Sequence, residues 1–117
     1  MTTQQLADRL VHLCRQGLNA QARAELYADT AVSLKPENGT FRPVRGLEAI
    51  QAEGAAFLNL VETMHELVVS APLLGERYFS VAMQMDMTLR GPGRQQVSEI
   101  CVYQVADGKI VQEQFFF

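Results

Sequence analysis

Glu99 and Glu113 are the residues of this 117-residue chain best set to do chemistry, because strand alternation can hold both acids among apolar neighbours. Val97, Glu99, Cys101, Tyr103 and Val105 occupy alternate positions and share one face of a strand. A carboxylate kept from water needs a partner or a proton, and burial raises its pKa. Such an acid can hold a proton near neutrality and pass it to or from a substrate. The rival reading pairs Glu99 with His65 or another neighbour, so that it merely lines a cavity.

The face of Glu113 depends on the turn at Asp107-Gly108. If Gly108 is the left-handed residue of a type I turn with a G1 bulge, Val105 faces Lys109. Val111, Glu113, Phe115 and Phe117 then join the face of Glu99. A tight two-residue turn shifts the register and sends Glu113 to the opposite face. In the first register the two acids are diagonal neighbours and oppose each other's ionisation. An arginine or water bridging them would give the same placement without chemistry.

The elements that must position these residues change period along the chain. Thr2 or Thr3 caps a helix running to about Gln16, with Leu6, Leu10, Leu13 and Cys14 on its buried side, and Gly17 ends it. A short helix over roughly Ala20 to Leu26 follows. Ala31 to Lys35 and Thr40 to Val44 read as a hairpin around Pro36-Glu37-Asn38-Gly39. Gly46 to Leu60 is a third helix with Leu47, Ile50, Phe57, Leu58 and Val61 at helical spacing, and Gly54 allows close packing on the sheet. Beyond it, Thr63–Ala71, Tyr78–Arg90, Gln95–Ala106 and Lys109–Phe117 alternate as four strands. Helices first and an antiparallel meander after them define an α+β class.

Composition sets the outer bounds. The length suits a single domain, residues 1–117, and the 48% apolar and 20% charged content is ordinary for a globular protein. A net charge of −3 with scattered arginines gives no surplus for phosphates, so nucleic acid is not expected as a partner. No apolar stretch is long enough to span a bilayer, so no membrane partner is expected either. The N-terminus lacks the basic start and apolar run of a signal peptide. Cys14 and Cys101 lie far apart without metal-ligand spacing and read as reduced thiols of a cytoplasmic protein.

The segments Leu26-Tyr27-Ala28-Asp29-Thr30-Ala31-Val32 and Arg45-Gly46-Leu47-Glu48-Ala49-Ile50, with the ending from Val102-Tyr103 through Asp107-Gly108-Lys109-Ile110-Val111 to Phe117, resemble the SnoaL-like branch of the nuclear transport factor 2-like superfamily. The resemblance spans nearly the whole chain. It implies three N-terminal helices packed on a strongly curved, mostly antiparallel sheet, a cystatin-like α+β cone enclosing a conical pocket. It also implies a homodimer through the outer sheet face. Members include ketosteroid isomerases, polyketide cyclases, dehydratases and non-catalytic carriers, so the fold alone selects no reaction. In the isomerases an aspartate base precedes a proline, where this chain has Lys35 before Pro36. The helix-1 tyrosine falls at Leu10 and the second pocket aspartate near Cys101. The steroid isomerase mechanism is therefore not expected. The same comparison directs Cys101, Glu99 and Tyr103 into the pocket and favours the bulged hairpin register.

On that frame Glu99 is the candidate acid or base, with His65 and Glu113 relaying its proton. His65 is in phase with Leu67, Val69 and Ala71 and would face the pocket, unless it is a satisfied rim residue. Tyr27, Met83, Met85, Cys101, Tyr103, Phe115 and Phe117 would line the ligand. Tyr27 has an alternative, packing with its hydroxyl at the rim. Cys101 reads as core, since an apolar setting raises a thiol's pKa. The methionines are core that doubles as an adaptable wall. No metal and no cofactor are expected. The outward set, with Ser80, Gln84, Asp86, Ile100, Val102 and Phe116 among it, mixes polar and apolar residues as a self-complementary interface does. The expected partner is a small, largely apolar organic molecule, with isomerase-, cyclase- or dehydratase-type proton chemistry. The alternative is a non-catalytic ligand-binding or dimeric assembly domain.

Overall fold

The computed structural model describes residues 1–36 and 42–117. Helix α1 (Thr3–Arg15) opens on a capping box in which the Thr2 hydroxyl accepts from the Gln5 N–H and the Gln5 side chain accepts from the Thr2 N–H. It buries Leu6, Ala7, Leu10, Val11, Leu13 and Cys14. Helix α2 (Asn19–Leu26) runs directly into strand β1 (Tyr27–Leu34), which starts four residues earlier than the sequence pattern suggests. Strand β2 (Val44–Arg45) pairs antiparallel with β1, as expected of a hairpin. The turn proposed within Glu37 to Phe41 lies outside the described residues.

Helix α3 (Leu47–Leu60) buries only Ile50. Phe57 and Leu58 of the anticipated apolar stripe are exposed, as is Leu60, so this helix covers the sheet with its first half only. Gly54 does not bring α3 against the sheet. The space beside it is filled by the guanidinium of Arg23 from α2, which a Cβ would strike.

Strand β3 (Val61–Val69) pairs with the long β5 (Tyr78–Leu89), and a two-residue strand β4 (Leu73–Leu74), not anticipated, pairs with the start of β5. Strands β6 (Gly93–Ala106) and β7 (Lys109–Phe116) complete the sheet in the order β2-β1-β7-β6-β5-β3. Only β1 with β7 is parallel, because both strands run away from the same end of the cone. The sheet is mixed, curved and unclosed, with all three helices against it: an α+β cone.

The closing hairpin combines features of both anticipated registers. Asp107 (φ 52°) and Gly108 (φ 73°) are both left-handed, which is a tight two-residue I′ turn, and Ala106 pairs Lys109. The ladder then shifts: Val105 pairs Ile110 while Gln104 pairs Gln112, leaving Val111 as an extra residue. That bulge restores the phase. Glu113 faces Tyr103 and Phe115 faces Cys101 on the inner side, and Ile110, expected outside, is the residue fully buried there. Phe117 lies beyond the end of β7 and is exposed.

Candidate functional site

The inner sheet face is buried at one end and mixed at the other. At one end Phe79 and Tyr103 stack with ring centroids 4.8 Å apart, and Val81, Met83, Cys101 and Val105 are buried beside them. Toward the other end Met85, Val97, Glu99 and Leu67 are half-buried, and Met64 is 42% exposed. Glu99 therefore sits in a half-buried stretch of this face, and Met87 beyond it is buried again.

Glu113 is 5% exposed, and both its oxygens are used. The Tyr27 hydroxyl donates to Oε1, and the Ser33 hydroxyl donates to Oε2 at 2.6 Å. The parallel register that sets Ser33 beside Glu113 makes the second bond possible. A buried carboxylate with both oxygens bonded avoids the desolvation cost of an orphan. Tyr27 thus spends its hydroxyl inside the core; the rim placement is not what forms. Burial first, then the charge of Glu113, holds the Tyr27 phenol well above its ordinary pKa, so it stays a neutral donor. Burial does the same to Tyr103.

Burial raises the pKa of Glu99. The Cys101 thiol, donating to Oε1 at 3.7 Å, opposes the rise, the charge of Glu113 adds to it, and Lys35 opposes it. The two acids share the inner face and sense each other by charge, but they are not the diagonal neighbours expected, because Glu113 lies opposite Tyr103, four residues from Glu99. The thiols are not nucleophiles: burial pushes Cys14 up to about 11, and burial with the charge of Glu99 raises Cys101 further.

His65 does not join this group. It is exposed and hydrogen-bonded through Nε2 to Thr88 Oγ1 at 2.7 Å. Met64 pairs Met87, Glu66 pairs Asp86 and Leu67 pairs Met85, so β3 carries an irregularity at His65 that breaks its phase with Leu67. Strict alternation had put it inside. Neither a His65–Glu99 pair nor a His65 relay forms. Among the described residues no three His, Cys, Asp or Glu side chains converge as a metal-binding group.

Sequence reasoning missed two members. Ser33, fully buried, and Lys35 lie two residues apart on one face of β1 and its continuation. Lys35 Nζ donates to Ser33 Oγ at 3.4 Å, lies 5.8 Å from the centre of the Phe115 ring, and is ion-paired with Glu53 of α3. The signal was present, since period-two spacing from Ala31 through Ser33 to Lys35 puts the ammonium inside. The missing aspartate drew attention away from what replaced it. Arg23, bonded through Nε to Gln51 Oε1 at 2.6 Å, moderates the upward shifts of Tyr27 and Cys14 from the helix side.

No curated protein sequence matches this chain. Among solved structures, a candidate SnoaL-like polyketide cyclase from Mesorhizobium loti is 28% identical over 100% of both chains, with a TM-score of 0.93. A protein of ketosteroid isomerase-like fold from Catenulispora acidiphila, in complex with trimethylamine, is 15% identical over 99% of this chain and 87% of that one (TM-score 0.75). TerC co-crystallised with polyporic acid is 15% identical over 99% and 92% of the two chains (TM-score 0.76). The model of the SnoaL-like domain matches residues 1–117. With that match across its whole length, the chain belongs to the SnoaL-like domain family.

Proposed function

We propose that the cone binds a small, largely apolar carbonyl compound and that Glu99 moves a proton on it without a cofactor. The observation that carries this reading is a half-buried carboxylate, raised in pKa by burial, on the largely apolar inner face of the sheet. The trimethylamine and polyporic acid complexes of two fold relatives support a small molecule as the partner. In the proposed step, ionised Glu99 takes the proton from the carbon next to the carbonyl. The C–H electron pair becomes the new C=C bond and the C=O π pair moves to oxygen. The proton returns from Glu99 to carbon. Glu113, fixed by Tyr27 and Ser33, shapes the wall and raises Glu99 through its charge. Tyr103, Met83, Met85 and Phe115 form the apolar lining.

The test is deuterium exchange at the activated carbon of 2-tetralone in D2O. The native protein is expected to exceed buffer by about 100-fold, the lower range for a positioned acid–base group, and Glu99→Gln to return to the buffer rate. Equal rates in the two proteins would sink the proposal. A second reading, a non-catalytic carrier, is favoured by Leu10, Lys35 and Cys101 at the three isomerase positions; it predicts ligand uptake with no exchange above buffer.

The protein is further proposed to be a homodimer through its outer sheet face. Ile100 and Phe116 are each 48% exposed there, paired across β6 and β7 among glutamines and serines. The buried free thiols of Cys14 and Cys101 fit the proposed cytoplasmic setting.

A further inference from the structure

Lys35 is the cation that the cone's chemistry otherwise leaves unexplained. Alternation carries its side chain inward from β1, and only 16% of that side chain is exposed. Its Nζ lies 5.8 Å from the Phe115 ring centre and 3.4 Å from the Ser33 hydroxyl that bonds Glu113, and its charge is felt at Glu99. An ammonium carries three N–H donors, and Ser33 and Glu53 take two. Glu53 is a weak competitor. Its side chain is 44% exposed on α3, and ion pairs that reach solvent contribute little.

A ligand oxygen that gains negative charge would stand in a pocket with two carboxylates on its wall. Without a positive group it would be repelled by both. Lys35 touches the same inner face as the acids, through Ser33 and Phe115, while Arg94 is committed to Asp86 and Arg9 to Glu25 on other surfaces.

We infer that Lys35 is the oxyanion-binding residue of the cone, and that the ligand class is one presenting a carboxylate, or a carbonyl oxygen that becomes an enolate, at the inner wall by Phe115. This rests on the pocket reading above and adds the polarity and position of the ligand's polar end. It involves no bond making at Lys35. The N–H donors hold the oxygen while the proton moves at Glu99.

The experiment measures binding of 2-naphthoate and its neutral isostere 2-naphthamide to the native protein, Lys35→Met and Lys35→Arg. The native protein is expected to prefer naphthoate by about tenfold, as one charge-assisted hydrogen bond gives. Lys35→Met keeps the stem, so it should lose that preference, with naphthoate weakened by about tenfold and naphthamide by clearly less. Lys35→Arg, which keeps the charge, should retain most of it. A preference that survives in Lys35→Met, or naphthamide binding as tightly as naphthoate in the native protein, overturns the assignment. So does an equal loss of both ligands in Lys35→Met, which would mean shape rather than charge. Failure of the native protein to bind either probe overturns the pocket reading, and this inference with it.

Discussion

At the residue scale, the cone separates two glutamates by giving them different surroundings. Glu113 is sealed and doubly hydrogen-bonded; Glu99 is half-open and has a single weak donor in Cys101. Glu113 should therefore matter for stability and Glu99 for proton chemistry. Glu113→Leu leaves the Tyr27 and Ser33 hydroxyls without their acceptor, and a loss of about 2–4 kcal/mol is expected in urea unfolding. Tyr27→Phe alone should cost about 1.5–3 kcal/mol, the range for a bond to a charged group. In the double variant the two losses should fall short of their sum by more than about 0.5 kcal/mol, because one bond is shared. Simple additivity would show that the Tyr27–Glu113 bond does not form.

At the element scale, the inward face of β7 depends on one extra residue. Inserting one residue after Val111 sets Gln112 opposite Tyr103 and Glu113 opposite Val102, which turns Gln112 inward and Glu113 outward. Tyr27 and Ser33 then lose their acceptor, and the melting temperature should fall by at least about 8 °C, as a loss of 2 kcal/mol or more implies at this size. An insertion variant as stable as the parent would show that the register tolerates slipping and that the bulge does not set it. This element also shows what was legible. The alternation of β5 and β6, the capped first helix and the inward placement of Glu99, Cys101 and Tyr103 follow from residue types and period alone. Bulges do not. A sequence has no mark at Val111 or His65 saying that a residue will be skipped, since the skip is set by matching two strands across the sheet. The two anticipated turns at Gly108 each held part of the answer. For His65 the same blindness gave the wrong face.

At the scale of the whole molecule, the sheet has one face occupied by helices and another that is neither polar enough for water nor apolar enough for a core. Ile100 and Phe116 pair directly across β6 and β7, so one apolar spot sits at the middle of the outer face. The proposed dimer would bury it. Phe116→Lys is expected to shift the protein from dimer to monomer in sedimentation equilibrium at micromolar concentration, with the far-ultraviolet spectrum retained. A native protein that is monomeric under the same conditions would remove the interface proposal and leave the cone untouched. The sheet's curvature came with the family resemblance, but the half-length cover of α3 was not legible beforehand, because it depends on how elements meet. Phe57 and Leu58 read as core in a helical wheel, yet both are exposed.

The central claim is that Glu99 is a proton-transfer group tuned by burial on the inner face of the cone. It is tested most directly by the pH dependence of 2-tetralone exchange in the native protein and in Glu99→Gln. The working form of Glu99 as a base is the carboxylate, so the native rate should rise with pH through a single ionisation. Because the folded pKa is raised, the midpoint should lie above the ordinary glutamate range, and Glu99→Gln should show neither the rate nor the ionisation. A native profile that coincides with that of Glu99→Gln, or whose midpoint falls at the ordinary glutamate value, would contradict the account.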